Sequence, residues 1–391
     1  MHSTDQSILL AQQLIKSKSV TPKDDGAMNT LKKSLSKIGF KNKDLPFGSK
    51  KNNDLILNLF SIKNPKKKIK KKSKVLCFAG HTDVVPTGDI RSWKHNPFEA
   101  KISQGRLYGR GASDMKGAIA AWISACKNVT QNKELNISLA LLITGDEEGI
   151  ATNGTIKVVN WLKQKKININ HCIVGEPTNP NYIGEMIKIG RRGSISFTIE
   201  VFGKSGHVAY ADLAQNPLSN LVNICYKLNK LNLEKKAKNF PITNLEITSI
   251  DTGNKASNVI PDSCLVSANI RYNNSYTEKA LLDSINKICS SEASNFKLNI
   301  ISSNKPFYTK PDNFLSILEK SIYKVTKKKP TLSTTGGTSD ARFIKNICPV
   351  IEFGGVGKTM HKLNENILVK DLLKLQKIYE ELIISYNNYY K

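Results

Sequence analysis

The sequence reads ISLALLITGDEEG at positions 137–149, an apolar run that stops at a glycine followed by three acids. The aliphatic stretch predicts a buried strand over residues 137–144, and the glycine and the acids predict a loop directly after it. Further strands are predicted over residues 75–79 and 171–174, each also followed by a glycine and by histidine or acid. Polar side chains therefore follow buried strands three times in this part of the chain.

Helices are predicted between these strands, at residues 7–17, 27–38, 116–127 and 154–165. Alternation of strand and helix is typical of an α/β/α sandwich with a mostly parallel sheet. In an open sheet of this kind, ligands bind in the crevice at the carboxyl ends of the strands. We therefore expect the acids and histidines that follow the strands to form a binding site.

The pattern changes after Arg192. The next predicted elements are, in order, a strand at 194–202, a helix at 217–231, strands at 245–251 and 263–271, a helix at 277–290 and a strand at 296–301. This β-α-β-β-α-β order predicts a ferredoxin-like α+β domain. The first pattern resumes near Phe307, with a helix at 313–327, a strand at 349–353 and a helix at 369–386. We therefore expect a discontinuous catalytic domain, 1–192 and 305–391, with a second domain inserted at 193–304.

The net charge of the 391 residues is +27, which by itself is typical of a nucleic-acid-binding protein. Lysine, however, is spread along the whole chain, and no zinc-finger or helix-turn-helix motif accompanies it. The densest cluster, 66–74, lies between strand-like runs at 55–60 and 75–79, which favours a solvated hairpin tip over a contact with a polyanion. We expect no nucleic-acid partner, although a nucleic-acid-binding module remains the alternative outside enzymes.

Two further patterns bear on where the protein resides. No stretch approaches the roughly 18 to 20 apolar residues of a membrane span, which predicts no membrane partner. The seven cysteines are widely spaced without a Cys-x-x-Cys pair, which is typical of reduced thiols. We expect a cytoplasmic protein.

Four clusters carry the chemistry: His81 with Asp83, then Asp114, then the Glu147-Glu148 pair, and finally Glu176. Taken alone, each cluster is weak evidence for a functional site, because an acid at a helix start is usually a cap and paired glutamates are usually solvated. Converging in one crevice, the acids would repel one another, and a divalent cation explains them together. His81 and Asp83 lie on the same side of an extended segment, so Asp83 is placed to accept an imidazole N–H.

The motifs in this order resemble the dinuclear zinc metallopeptidase family of aminoacylases, bacterial carboxypeptidases and acetylornithine deacetylase. The resemblance runs from about residue 5 to 385. It rests on the blocks HTD (81–83), GRGASDMKG (109–117), EEG (147–149), GEPT (175–178), IGRRGS (189–194), GHVAY (206–210), SNVIP (257–261), GGTSDARF (336–343) and MHKLNE (360–365).

The resemblance implies two zinc ions per chain, which cobalt can replace. Carried over by position, one zinc is bound by His81 and Glu176 and the other by Glu148 and His361. Asp114 is then the ligand that bridges them, followed by a cis peptide bond to Met115. Imidazole and carboxylate ligands suit zinc.

The same resemblance implies hydrolysis of an amide in a small anionic amino-acid derivative, with Glu147 as general base and Asp83 in support. The inserted domain is expected to form a symmetric homodimer in which His207 reaches the active site of the partner chain. Seven further residues are expected to contact the substrate: Arg191, Ser194, Tyr210, Asn258, Arg271, Gly337 and Thr338. A deacetylase or an aminopeptidase of the same family remains the alternative.

One position departs from the pattern. Some family members carry an asparagine four residues before the last zinc histidine, where this chain has Gly357. The surrounding GGVGKT (354–359) imitates a phosphate-binding loop, but Glu352 occupies the place where that loop requires glycine. The stretch therefore favours a lost substrate contact over a nucleotide site.

Overall fold

The computed structural model describes residues 5–66 and 73–390. Its contacts divide the chain into two compact units. The first unit comprises Met1–Ile189, Thr309–Ser333 and Ser339–Lys391, and the second comprises Gly190–Tyr308 and Thr334–Thr338. Within the described ranges, no helix has both the length and the apolar character that crossing a bilayer requires.

The first unit is built on an eight-stranded sheet. Its strands lie in the spatial order Lys41–Asp44, Leu59–Lys63, Ser138–Thr144, Val75–His81, His171–Val174, Val350–Glu352, Met186–Lys188 and Thr331–Ser333. The four strands from Ser138–Thr144 to Val350–Glu352 are mutually parallel. Every residue of Val75–His81 and of Ser138–Thr144 is buried, as continuous apolar runs in a parallel sheet should be. This confirms the predicted α/β class with a mostly parallel sheet.

The helices of this unit form two groups. Gly117–Asn132 packs against Val369–Tyr389, which also packs against Asn313–Thr326, whereas Thr155–Gln164 packs against Ala341–Ile344. The remaining helices are Gln6–Lys16 and Ala27–Lys37. A small sheet of Asn366–Leu368, Arg106–Tyr108 and Ile102–Ser103 completes the unit. The helix boundaries lie close to those predicted, except that Gly117–Asn132 continues beyond the predicted end at residue 127. Asp5 caps the first helix, since its side chain accepts the N–H of Ser7.

The expected hairpin around the lysine cluster is wrong. Leu59–Lys63 pairs antiparallel with Ser138–Thr144, and Val75–His81 pairs in parallel with the other side of that same strand. The fully buried Ser138–Thr144 strand needs a partner on each side to satisfy its backbone groups, so it separates the two strands. The segment between them is a connection rather than a hairpin tip, and residues 67–72 of the cluster lie outside the described residues.

The second unit contains a four-stranded antiparallel sheet in the order Asn244–Asp251, Ser263–Tyr272, Gly193–Phe202 and Phe296–Asn304. The helices Pro217–Asn229 and Glu278–Glu292 complete a β-α-β-β-α-β chain order. Alternate residues of Gly193–Phe202 point into the core, namely Ile195, Phe197, Ile199 and Val201. Gly206–His207 pairs with Val259–Ile260, and Gly190–Arg191 pairs with Phe307–Tyr308. The predicted ferredoxin-like arrangement is confirmed.

Candidate metal centre and active site

Three neighbouring parallel strands bring their polar ends to one edge of the large sheet. His81 is the last residue of Val75–His81, Glu147 and Glu148 follow Ser138–Thr144, and Glu176 follows His171–Val174. The carboxyl ends of parallel strands share an edge, so the expected convergence of these side chains follows from the register.

Asp114 reaches this edge from a turn rather than from the end of a strand of the large sheet. A tight turn at Ala112–Lys116 precedes the helix Gly117–Asn132 and carries the buried Asp114. Gly111 begins the turn with φ +84°, and a Cβ on it would lie 2.8 Å from Val84, so only glycine fits. The Asp114-Met115 peptide bond is cis, as expected.

The two oxygens of the Asp114 carboxylate face two different histidines. Oδ1 lies 3.2 Å from Nε2 of His81, and Oδ2 lies 3.2 Å from Nε2 of His361. Each histidine also faces a glutamate: His81 lies 4.0 Å from Glu176, and His361 lies 2.7 Å from Glu148. The structure therefore groups these five residues into two histidine–glutamate pairs with one aspartate between them.

Both imidazoles face oxygen acceptors. Nδ1 of His81 lies 2.9 Å from the backbone carbonyl oxygen of Asp83, and its Nε2 lies 3.2 Å from Oδ1 of Asp114. Burial lowers the pKa of His81, but the bond to Asp114 and the surrounding carboxylates outweigh it and raise that pKa well above its usual value. Hydrogen bonds to Asp114 and Glu148 raise the pKa of His361 to about 10. Burial raises the pKa of Asp114, but the hydrogen bonds to His361 and His81 outweigh this effect and hold that pKa below its usual range.

This donor set fits divalent metal ions. The ligand atoms of His81, Asp114 and Glu148 all lie within 4.8 Å of one another. Neutral imidazoles and carboxylates are the ligands that zinc takes in hydrolytic sites. A cation would bind the imidazoles in their neutral form, through a nitrogen lone pair that a proton otherwise takes.

Glu147 lies in the same loop as Glu148 but does not share its contacts with His361. Burial, followed by repulsion from Glu176, raises the pKa of Glu147 well above its usual value. The third acid of the loop has a structural task, because Asp146 accepts the backbone N–H groups of Ala151 (3.1 Å) and Asn153 (3.0 Å).

Asp83 acts differently from the expectation. Its carboxylate is 3.6 Å from Nδ1 of His81, too far for a hydrogen bond, and the imidazole N–H goes to the backbone carbonyl of Asp83 instead. The carboxylate accepts the backbone N–H of Glu148 at 2.9 Å and of Glu147 at 3.3 Å, and the hydroxyl of Thr21 at 2.7 Å. Asp83 therefore ties the His81 loop to the loop of the two glutamates.

Gly357 is explained by the backbone that surrounds it. A Cβ at this position would lie 2.8 Å from the carbonyl oxygen of Pro177. The Gly357 N–H donates to the carbonyl of Asn179 at 2.9 Å, which holds the two segments together. An asparagine would not fit without a backbone shift, so the side chain expected in some relatives has no room here.

The residues expected to contact substrate all belong to the second unit. Ser194 and Arg271 are direct partners on neighbouring strands, and Nη1 of Arg271 is buried without a hydrogen-bond partner among the described residues. Burial lowers the pKa of the Arg271 guanidinium. Arg191 donates to the carbonyl of Thr335 at 3.3 Å, which places it beside the segment that carries Gly337 and Thr338.

The two other expected substrate contacts, Tyr210 and Asn258, lie near His207 in a second group within this unit. His207 pairs with Val259 in a short ladder, and the N–H of Val208 donates to the carbonyl of Asn258 at 3.1 Å. The Tyr210 ring lies 5.9 Å from the imidazole of His207, and 62% of Tyr210 is exposed. Nδ1 of His207 accepts the N–H of Ala209 at 3.1 Å, which leaves Nε2 as the ring nitrogen that can donate.

Three buried charged residues near the loops of the expected metal ligands have no role predicted from the sequence. Arg110 and Glu365 form a buried ion pair at 2.8 Å. Asp340 is also buried, 3.8 Å from Arg342, and burial raises its pKa to about 6 against the attraction of that arginine. All three lie within motif blocks of the sequence, but only the fold places them beside the loops of the site.

The mostly parallel sheet, with a cluster of histidines and carboxylates at one edge, has the architecture of a metal-binding α/β hydrolase. The chain belongs to peptidase family M20/M25/M40, whose model matches residues 77–385.

Two curated relatives are similar to the whole chain. The succinyl-diaminopimelate desuccinylase of Pelagibacter ubique (strain HTCC1062) is 48% identical over 388 residues, which cover 98% of this chain and 99% of the relative. The enzyme of the same name from Ehrlichia chaffeensis (strain ATCC CRL-10679 / Arkansas) is 45% identical over 383 residues, covering 97% and 98%. An M20-family metallo-carboxypeptidase of Sulfolobus solfataricus shares the fold, with a TM-score of 0.79, 21% identity and coverage of 98% and 100%.

Proposed function

We propose that the chain hydrolyses N-succinyl-L,L-2,6-diaminopimelate to succinate and L,L-2,6-diaminopimelate, a step of lysine and diaminopimelate biosynthesis. The observation that carries the proposal is the Asp114 carboxylate held between His81 and His361, in a chain that is 48% identical to a desuccinylase along nearly its whole length. A carboxylate between two histidine–glutamate pairs supports a role for Asp114 as a ligand of two cations.

These contacts support the assignment of the metal ligands. His81 and Glu176 would hold one zinc, Glu148 and His361 would hold the other, and Asp114 would serve both. Cobalt can take the place of zinc, since it accepts the same nitrogen and oxygen ligands. When bound, the two cations supply Lewis-acid polarisation of the scissile carbonyl and a lowered pKa for water.

Glu147 moves the proton. Its carboxylate accepts a proton from the attacking water and delivers it to the nitrogen of the departing amine. Burial and the neighbouring Glu176 raise its pKa, which makes it a stronger proton acceptor than an exposed glutamate. Asp83 supports this role by holding the backbone N–H of Glu147.

The second unit binds the anionic groups of the substrate. Arg191 and Arg271 provide planar guanidinium donors that can hold a carboxylate bidentately. Ser194, Tyr210, Asn258, Gly337 and Thr338 provide the remaining contacts. The guanidinium of Arg271 has a buried nitrogen without a hydrogen-bond partner among the described residues, which supports a role in receiving an acceptor from outside the chain.

The second unit also forms the homodimer, and His207 of each chain serves the active site of its partner. The exposed apolar side chains of this unit support an interface, among them Val222, Tyr226, Ile250 and Ile301, each more than half exposed. The protein works in the cytoplasm, consistent with seven cysteines that are all unpaired. Its partners are the small substrate and a second copy of itself, with no nucleic acid or membrane.

The test is direct detection of products. Purified protein loaded with zinc is incubated with N-succinyl-L,L-2,6-diaminopimelate and, separately, with N-acetylornithine, and free succinate and acetate are measured by mass spectrometry. We expect succinate release to be at least tenfold faster, because an acetyl group leaves a substrate-binding arginine without its carboxylate. Faster acetate release would assign the chain to the deacetylases of the family instead.

A further inference from the structure

The buried Arg110–Glu365 ion pair lies among the loops that carry the metal ligands. The two side chains meet at 2.8 Å, with Arg110 3% exposed and Glu365 fully buried. A buried ion pair is weak evidence for stability, since the cost of desolvating two charges offsets their attraction. The role of the pair therefore follows from the other hydrogen bonds that Arg110 and Glu365 make.

Glu365 holds the backbone of the bridging ligand. Its Oε1 accepts the N–H of Ser113 at 2.9 Å and the N–H of Asp114 at 3.1 Å, while Oε2 accepts from Arg110. Two backbone bonds to consecutive residues fix the orientation of the peptide from which the Asp114 side chain leaves. Glu365 itself lies four residues after His361, on the loop of another metal ligand.

Arg110 connects the loop that follows His81 to the loop that carries His361. Nη1 also donates to the carbonyl of Lys362, the residue after His361, at 3.2 Å, and Nη2 donates to the carbonyl of Pro86 at 3.1 Å. The guanidinium lies over the Trp93 ring, 5.1 Å from its centroid. A planar fork can serve three acceptors in different directions, which a lysine ammonium on a flexible stem does not reproduce.

We propose that Arg110 and Glu365 are positioning residues that set the spacing between the His81, Asp114 and His361 loops, so that one aspartate can bridge two cations. The inference rests on the proposed function, because it concerns the same metal centre. Neither side chain contacts the carboxylate or imidazole groups of the centre, and each bond of the pair ends on the backbone of a ligand-bearing loop. Removing the pair weakens metal binding by letting the loops drift apart.

The experiment measures metal affinity apart from activity. Full-length protein is stripped with a chelator, and both zinc dissociation constants are measured by competition with a chromophoric chelator for wild type, Glu365→Gln and Arg110→Lys. We expect at least one constant to weaken by roughly 10- to 100-fold, the usual effect of losing a group that orients a metal ligand. The cobalt-loaded variants should also show a changed visible absorption spectrum, which reports ligand geometry directly.

Two controls separate positioning from general loss of stability. Leu382→Ala removes a fully buried side chain from the Val369–Tyr389 helix and lowers the melting temperature of the metal-free protein without touching the pair. The double variant Arg110→Met with Glu365→Gln removes both charges and so leaves none of them buried alone. We expect the melting temperature of the double variant to lie closer to that of wild type than the melting temperature of either single variant does. Its zinc affinity should stay at least tenfold weakened. If a single variant does not fold, the zinc affinity of the double variant tests the inference.

The outcomes are distinct. Zinc affinities in the pair variants that match wild type, or that fall no further than in Leu382→Ala, overturn the inference while leaving the proposed function in place. Wild-type protein that binds no zinc overturns the proposed function and this inference with it.

Discussion

The carboxylate of Asp83 accepts the backbone N–H of Glu148 at 2.9 Å. Asp83 lies two positions after His81, a proposed ligand of one zinc. Through this bond it orients Glu148, a proposed ligand of the other zinc. The same carboxylate faces the imidazole of His81 at 3.6 Å, so its charge also favours the donor state of that ring. Asp83 thus ties the His81 loop to the loop that carries Glu147 and Glu148.

Asp83→Asn should reduce kcat/KM by about 10- to 100-fold, the usual range for a group that orients metal ligands. The amide nitrogen of asparagine is a donor, and it would face the N–H groups of Glu147 and Glu148. Steady-state kinetics with the succinyl substrate measure the loss. Asp89→Asn is the matched control, because Asp89 is an exposed acid on the same stretch whose side chain, within the described part of the chain, pairs only with Arg91. Equal activity of the two variants would contradict a role for Asp83.

Glu147→Gln should retain both metals and the fold but lose several orders of magnitude in kcat, because an amide cannot accept the proton of water. Metal content per chain, measured by elemental mass spectrometry, should stay at two zinc ions, and the circular dichroism spectrum should be unchanged. Loss of one zinc together with activity would instead identify Glu147 as a ligand. Glu148→Gln is the comparison, since it should lose metal.

Zinc affinity should rise with pH between about pH 6 and 9. In the metal-free protein the pKa of His361 is raised to about 10 and that of His81 is raised as well, so both rings are protonated at pH 7. Zinc binds only the neutral ring, so each zinc must displace a proton, and affinity gains roughly one decade per pH unit for each proton displaced. Competition titrations at several pH values measure the slope, and calorimetry in buffers of different ionisation enthalpy counts the protons. A pH-independent affinity would show that the histidines are neutral before metal binds.

Mixed dimers test whether His207 acts on the partner chain. His207→Ala and Glu147→Gln chains, each nearly inactive alone, are mixed and allowed to exchange. If His207 serves the partner, a heterodimer has one site with both defects and one with neither, so activity returns to at most about half of wild type per dimer. Losing the imidazole donor should cost roughly 2.7 to 4 kcal/mol of transition-state stabilisation in the His207→Ala homodimer. No recovery, with exchange shown by native mass spectrometry, would mean that His207 acts within its own chain.

The sequence predicted the fold class and most helices and strands, because burial on a sheet or a helix face leaves a local pattern of apolar residues. Ser138–Thr144 and His171–Val174 were visible as apolar runs ending in polar residues. Edge strands such as Lys41–Asp44 left no such pattern, since its side chains are largely exposed. Residues 55–60 were expected as a strand that pairs with 75–79, and only long-range pairing shows that another strand separates them.

For the site, the sequence by itself determined which acids and histidines follow buried strands, and therefore which side chains share one edge of the sheet. Only the tertiary structure decided how they are joined. It showed that the carbonyl rather than the carboxylate of Asp83 accepts the His81 ring N–H, and that a side chain at position 357 would require a backbone shift. It also showed that Arg110 and Glu365, 255 positions apart, form one buried pair. These contacts depend on distances between segments remote in the chain, and periodicity records only a residue's local environment.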